Sequence, residues 1–450
     1  MSDDNTRAAL RKAAATVHLP GDAGYDEARS TWAVSSDLRP AAVIVPESAD
    51  EVSAVLRAAG EAGLRVSPLG TGHNAYPLRD LSGTVLLRMS RLGGIEIRPE
   101  ARTARVEAGA IWLPVVQAAA EHGLTGMHGS AVDVGVVGYH VFGGISWYGR
   151  QYGLASNRVT AFEVVLADGT QVRADAGHEA DLFWALRGGG GNFGVVTAME
   201  FGLLPFATAY AGMLAWDLTA APQVLDRWRQ WTAELPESVT TAYRHTQFPP
   251  IPQIPDPFRG RQWAIVDGAI LAGDDEAERI LAPLRELRPE LDTFARVPAT
   301  AVPHIHMDPE APTPGAADSG LIDGLTPSVA DKLLELSGPG SGFGLVAAEL
   351  RHLGGALSRP AGDGGAVSHL DGEYNVLGAG FAFDPDGKAA TLAEAGRLVA
   401  ALGGDGKHYL GLDQRPQDAR AGYDDATWRR LTELRRHYDP NGVLLANHEI

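Results

Sequence analysis

The stretch Leu64-Arg65-Val66-Ser67-Pro68-Leu69-Gly70-Thr71-Gly72-His73-Asn74 decides the fold. Its first six residues read as a strand, and they run without a break into a turn with glycine at alternate positions. Upstream, Arg39 to Pro46 is a short β-branched strand stopped by proline. Ser48 can cap the helix that follows, with Glu51 as its reciprocal partner. Val52, Val55, Leu56 and Ala59 recur at helical spacing, and Gly60 with Gly63 ends the run. Strand, helix, strand and glycine-rich loop make one α/β unit with its loop at the C-terminal end of a strand. Successive backbone N–H groups in such a turn form a concave site suited to an anion such as a pyrophosphate. His73 closes the turn, a nitrogen able to attach to a cofactor, but taken alone it reads as an ordinary turn histidine.

Alternation continues outward. Strands are expected at Thr84 to Met89, Ile95 to Ile97 and Thr103 to Ala108, and a helix from Trp112 to His122. Asp168-Gly169 is a hairpin turn between Val159 to Leu166 and Gln171 to Arg173. Asp181 to Arg187 is a short helix stopped by four glycines, and Val195 to Leu204 returns as a strand. Near Pro205 the texture changes to longer helices (Gln223 to Leu235, Asp275 to Leu287, Ser328 to Leu336) between strand-like pieces at Gln262 to Leu271, Phe343 to Leu350 and Tyr374 to Ala382. Pro249 to Pro257 and Pro309 to Gly320 read as loops, and Trp428 to Tyr438 as a closing helix. Trp228 and Trp231, three apart on a helix, read as core packing. The class is α+β, with residues 1–206, 207–404 and 405–450 as successive units and the core of the first at about 38–206.

Composition narrows the function. The 450 residues carry a formal net charge of −18, which argues against a nucleic-acid partner. No apolar run reaches the length of a membrane span, and the acidic start lacks the pattern of a secretory leader, so a cytoplasmic location is expected. With no cysteine, thiolate chemistry and Cys-ligated metals are excluded. The run Gly189-Gly190-Gly191-Asn192-Phe193-Gly194 fits G-x-G-x-x-G, but a helix precedes it and a strand follows, the reverse of the dinucleotide fingerprint. It is a loop that lets the backbone approach something closely.

Five segments in order resemble the FAD-binding domain of the vanillyl-alcohol oxidase (PCMH-type) superfamily, berberine-bridge-enzyme-like branch. They are Arg39 to Pro46, Gly70 to His73, Val134-Gly135-Val136-Val137-Gly138 through Gly143-Gly144, Arg150-Gln151-Tyr152-Gly153-Leu154-Ala155-Ser156-Asn157, and Arg187 to Thr197. Tyr438-Asp439-Pro440-Asn441-Gly442-Val443 is similar to the branch's C-terminal signature. Bacterial members of the 6-hydroxy-D-nicotine oxidase type and secondary-metabolite oxidases are the most similar. The resemblance implies a two-subdomain FAD-binding domain, a substrate domain whose antiparallel sheet is covered by helices, and a C-terminal segment returning to the flavin. It implies FAD bonded through His73 to the flavin 8α-methyl, with Leu69, Gly70, Thr71, Gly72 and Asn74 around the pyrophosphate. Asp133, Val134, Gly135, Gly138, Tyr139, Gly143 and Gly144 would line the ribityl chain and ring, Val196 the adenine end, and Tyr409 the ring from the C-terminal side. Ala131 stands where the branch places a second, cysteinyl link, so the attachment would be single. Val134 stands where small or β-branched residues accompany oxygen-reactive members.

Hydride removal from a C–O or C–N bond usually needs a base for the departing proton. The resemblance points to Tyr409, although the branch's Tyr-x-Asn motif has Gly411 in place of Asn, and a tyrosine acts as base only beside a cation. Glu349 and Arg351 alternate on a strand-like piece and share one face, with His352 on the other. His369, Tyr148, Tyr152 and Tyr374 are further candidates for the pocket wall. His304-Ile305-His306 with Asp308 invites a metal reading through a shared strand face, but no third ligand follows at a familiar spacing, so no metal is expected. The expected partners are a small-molecule substrate and O2, with H2O2 as product. A natural-product tailoring oxidase, cyclase or monooxygenase, and a flavin-binding sequestering protein without turnover, stand as the alternatives.

Overall fold

Three sheets organise the chain in the computed structural model, which describes residues 3–415 and 418–450. The first has four strands in the order Val17–His18, Ala42–Ile44, Thr84–Arg88, Arg65–Leu69. The last three run parallel, as the crossover helix Ala49–Ala62 requires. The second sheet is antiparallel, in the order Ile95–Arg98, Thr103–Glu107, Val195–Gly202, Val159–Val165, Gln171–Asp175. One apolar core, with Val55, Leu56, Val66, Leu87, Phe162 and Phe201, joins the two. Ser48 accepts the Glu51 N–H as expected, but the Glu51 carboxylate accepts from Glu47 N–H and Ala15 N–H rather than returning to Ser48.

The third sheet has eight strands, all paired antiparallel. Its path runs Leu291–Asp292, Thr208–Asp217, Gln262–Ile270, Val239–Gln247, Ala347–His352, Tyr374–Phe381, Gly315–Ile322, with Ala295–Pro298 beside Thr208–Asp217. Side chains alternate across a strand, so the register sorts them by face. Val266, Tyr243, Leu350 and Val376 lie in one row and pack under the helices Ala221–Thr232, Asp274–Arg285, Pro327–Ser337 and Pro385–Ala401. Trp228 is fully buried there and Trp231 nearly so. The neighbouring row on the other face is polar, and it forms one wall of the site described below.

Several elements differ from the sequence reading. The strand expected from Phe343 begins at Ala347. The supposed loop from Pro309 to Gly320 overlaps the strand Gly315–Ile322, whose glycine- and alanine-rich start carries no β-branched signal and is held by its ladder with Tyr374–Phe381. The strands Thr208–Asp217 and Val239–Gln247 and the helix Pro385–Ala401 had no assignment.

After the helix Asp425–Tyr438 the chain returns to the first sheet, where Leu444 bridges Val66 in parallel. Val66 N–H donates to Val443 O at 2.7 Å, and Leu445 N–H to Val66 O at 2.9 Å. Asp439 fixes this return. Its fully buried carboxylate accepts from Val443 N–H and Leu444 N–H and pairs with Arg435. Arg435 in turn donates to Asn192 O and Leu444 O. Removing one partner of a buried pair strands the other, at a cost of about 3–5 kcal/mol. Asp439→Ala is therefore expected to lower the denaturant midpoint by an amount corresponding to about that loss, and an unchanged midpoint would contradict this role for the carboxylate.

Candidate active site and cofactor cleft

His73 sits at the end of the glycine turn with both ring nitrogens engaged. Nδ1 lies 2.9 Å from Thr71 Oγ1, and Nε2 lies 3.1 Å from Asp133 Oδ1. Trp32 covers the imidazole, with ring centroids 4.2 Å apart and planes 19° from parallel, and its indole N–H donates to Asp133 Oδ2. Burial works against the Asp133 charge, yet His73 and Trp32 hold its carboxyl below the usual range. The imidazole is thus fixed in orientation by an aromatic face and a carboxylate. Gly72 has φ +84°, and a Cβ there would meet Thr31 Cβ at 2.7 Å, so the turn closes only with glycine. Among the described residues, the backbone N–H groups of Thr71 to Asn74 have no hydrogen-bond acceptor in the protein. They form an anion nest with its donors free.

A cavity of about 460 Å³ runs from this nest to the polar face of the third sheet. Leu69, Gly70, Thr71, Gly72, His73, Asn74, Val134, Gly135, Gly138, Tyr139, Val196 and Tyr409 all border it. Asp133, Gly143 and Gly144 do not, but Asp133 holds His73 and Gly144 holds Tyr409. Asn74 Oδ1 and Tyr139 Oη are buried without a partner. Such orphaned polar atoms beside a free N–H nest are what a polar, phosphate-bearing cofactor would satisfy, so the residues present fit FAD.

Gly144 lets two tyrosines approach. It has φ +82°, and a Cβ there would lie 2.4 Å from Tyr139 Cε1. Its N–H donates to Tyr409 Oη at 2.8 Å, tying the C-terminal segment to the glycine run. Residues 409–412 form a turn, closed by Leu412 N–H donating to Tyr409 O. Gly411 has a local reason: a Cβ there would lie 2.6 Å from Tyr409 Cζ. Burial raises the Tyr409 hydroxyl well above its ordinary pKa, against the lowering effects of Gly144 and Arg351. Burial thus favours the neutral phenol at Tyr409, with Arg351 as the cation acting against it.

The opposite wall is a chain of buried charges. Arg244 pairs with Asp267 Oδ2 at 2.9 Å, and the same oxygen lies 2.8 Å from His306 Nδ1. His306 Nε2 lies 3.0 Å from Glu349 Oε2, and Glu349 Oε1 accepts from Arg351 Nε at 2.8 Å. Asp308 accepts from Ser130 Oγ at 2.7 Å, and its other oxygen lies 3.9 Å from His306. Burial and Arg244 oppose charge on His306, but Asp267, Glu349 and Asp308 together push its pKa up to about 9. Burial likewise opposes charge on Glu349, yet Arg351 and His306 hold its carboxyl far below the usual range. With His306 protonated, three cations face three anions, the condition under which buried charges are tolerated.

Glu349 and Arg351 share one face as expected, and both border the cavity. His352 points the other way, stacked on Tyr374 and within 3.0 Å of Arg150, so Tyr374 belongs to the helix-covered core. Tyr148 is corrected as well. It is buried between His128 and Phe206, and Tyr152 also stacks on Phe206, so neither reaches the cavity. His369 also lies off the cavity wall, beside Ser368. His304 pairs with Glu310 while His306 turns inward to Asp267, so the two rings share no face. Among the described residues no group of three or more His, Cys, Asp or Glu side chains is arranged to hold a metal ion. No helix there is long and apolar enough to cross a membrane.

Trp32, Ser130, Asn375 and Gln414 carried no sequence signal, since each enters from a loop or strand whose register only the fold supplies, while Asp308 and His306, first considered as a metal pair, line the cavity instead. The Gly188–Gly194 loop mostly meets its own chain. A Cβ at Gly188 would sit 2.4 Å from Val367 N and at Gly194 2.4 Å from Val164, while Gly191 and Gly194 also border the cavity.

A histidine whose folded pKa lies above its unfolded value of 6.5 stabilises fully below that value and loses the contribution as pH rises through the folded one. The denaturation midpoint should therefore fall as pH rises through about 9, and His306→Gln should flatten that limb. Parallel pH profiles for the two proteins would contradict the assignment.

Residues 40–175 match the family model described as FAD binding domain. The chain is 32% identical over 225 residues to the FAD-dependent monooxygenase drtC of Aspergillus calidoustus, covering 49% of this chain and 43% of that protein. It is 33% identical over 208 residues to the (R)-6-hydroxynicotine oxidase of Paenarthrobacter nicotinovorans, covering 46% of this chain and 45% of that protein. These matches thus span less than half the length of either relative. Across the whole chain, the structure superposes on Physcomitrella patens BBE-like 1 with a TM-score of 0.84 at 20% identity, covering 99% of this chain and 98% of that one. The free N–H nest, the clamped His73 and Tyr139 thus lie within the stretch that matches the FAD binding domain model, and the chain as a whole has the fold of Physcomitrella patens BBE-like 1.

Proposed function

We propose that the protein is an FAD-dependent oxidase that removes a hydride from a C–O or C–N bond of a small organic substrate and passes the electrons to O2, releasing H2O2. The observation that carries this reading is the single cavity joining a clamped histidine and a free N–H nest to a wall of oriented polar side chains. FAD, when bound, supplies the hydride acceptor at its N5. The Thr71 to Asn74 amides would hold its pyrophosphate, and Asn74 and Tyr139 would satisfy their orphaned oxygens on it.

Asp133 accepts the Nε2 proton of His73, which leaves Nδ1 as the nitrogen with a free lone pair, now accepting from the Thr71 hydroxyl. Nδ1 would carry the link to the 8α-methyl. Ala131 on the same wall offers only a methyl group, so the link would be single. Val134, a β-branched residue, borders the same cavity, in keeping with use of O2.

For the departing proton, Glu349 is a poor acceptor because two cations hold its charge. Asp308 also borders the cavity, bonded to a serine and without an arginine in direct contact, and we assign it the proton-accepting role. Tyr409 would keep its proton and offer a hydrogen bond from its hydroxyl into the cavity, and Glu349 would position Arg351. The kinship with proteins named monooxygenases supports a second reading, in which oxygen is inserted into the product.

Acid-precipitated protein is expected to stay yellow and to carry the mass of one FAD, while His73→Ala should release its colour to the supernatant. A coloured pellet from the variant would overturn the covalent assignment. In turnover with a substrate panel, Asp308→Asn should lower kcat by about 10²–10⁴-fold, the usual worth of a general base, while FAD stays bound. One peroxide per substrate oxidised supports the oxidase, label from ¹⁸O2 in the product supports the monooxygenase, and no turnover with any compound points to a sequestering protein.

A further inference from the structure

Arg351 and Asn375 are direct partners on adjacent strands of the third sheet, and both face the cavity. Arg351 is only 13% exposed at its side chain, and among the described residues its one hydrogen bond is from Nε to Glu349. The guanidinium edge made by its two terminal nitrogens therefore has no protein acceptor. Asn375 is completely buried, and neither its Nδ2 nor its Oδ1 has a partner. A carboxamide with both ends unsatisfied at zero exposure is costly unless a ligand completes it.

The contacts around Arg351 point the same way. Glu349 is shared between two cations, taking Arg351 on one oxygen and His306 on the other. Asp308 supplies the third anion, but it is directed to Ser130 and His306. The Arg351 fork and the Asn375 amide thus present three adjacent N–H donor groups, the arrangement that recognises a planar oxyanion in bidentate fashion. Beyond Asn375 the same strand turns Leu377 and Ala379 to the cavity, and Ala317 lies opposite Ala379, so the floor becomes apolar.

We infer that the substrate is a carboxylate carried on an apolar body, its carboxyl group received by Arg351 and Asn375. The inference rests on the reading of this cavity as the substrate site of a flavoenzyme.

Benzoate and its neutral isostere benzamide test it on the flavin-loaded protein, by calorimetric titration. Benzoate is expected to bind at least about tenfold more tightly than benzamide, in line with the extra strength of charge-assisted hydrogen bonds. Arg351→Gln should abolish that preference by weakening benzoate alone, and Arg351→Lys should keep part of it. Asn375→Asp, which places a carboxylate beside the fork, should invert it. Equal affinity for the two probes in the wild type, or a preference that survives both Arg351→Gln and Asn375→Asp, would overturn the inference. So would a change in Arg351→Gln confined to the visible flavin spectrum, since the guanidinium would then serve the cofactor. Should Arg351→Gln not fold, Arg351→Lys and Asn375→Asp carry the decision. Protein that takes up no FAD but still prefers benzoate would refute the flavoenzyme reading while leaving the carboxylate site standing.

Discussion

Burying a row of charges on a sheet is what the rest of this molecule accommodates. Arg244, Asp267, His306, Glu349 and Arg351 are all nearly or wholly out of solvent, and each is held by the next through a direct contact. An isolated charge there would be prohibitive, and even a paired one must be completed by further hydrogen bonds. The antiparallel ladder supplies the order. Arg244 lies opposite Glu349, Ala242 opposite Arg351, and Asp267 opposite Ala242, so four of the charges come from neighbouring strands with their faces fixed, and His306 enters between them from a turn. The other face, packed under four helices, holds the pleat rigid enough for the chain of contacts to persist.

The opposite wall is built differently. It is a set of loops, and its precision comes from chain crossings rather than from a ladder. Trp32 enters from the N-terminal arm to lie on His73, and Asn447 near the C-terminus donates to the carbonyl of Asn74. Tyr409 is seated by the amide of Gly144. Segments from both ends of the sequence thus close on one turn of six residues. The Asp439–Arg435 pair is the latch that returns the last of them.

How much of this was legible in the sequence follows from the range of the forces involved. The α/β unit before His73 was readable because its determinants are local: a cap at Ser48, helical spacing through Ala59, and glycines where the turn closes. Trp228 and Trp231 were readable for the same reason. Gly315–Ile322 was not, because a strand opening Gly-Ala-Ala-Asp-Ser-Gly owes its state to its neighbour across the ladder. At the site, Glu349 and Arg351 were found from alternation alone. Their partner His306 lies 43 residues from Glu349, and Asp267 behind it a further 39 residues upstream, separations that no spacing ties to this strand. Tyr148 failed because aromatic content near a glycine run does not distinguish a wall from a core, and here its ring packs on His128 and Phe206. Gly411, a departure when read by motif, became intelligible only once the Tyr409 ring was seen folded against it.

The pleat of the third sheet separates two alphabets by a single residue. In Leu350-Arg351 and again in Asn375-Val376, one side chain belongs to the packed interior and its neighbour to the cavity. Substitutions at every second position can therefore rewrite what the cavity recognises without disturbing the residues that hold the layers together. An insertion or deletion of one residue in the same strands would exchange the two sets and destroy both. Such a scaffold can diversify its chemistry by point substitution while its strand lengths stay frozen, a division of labour written into the geometry of extended chain.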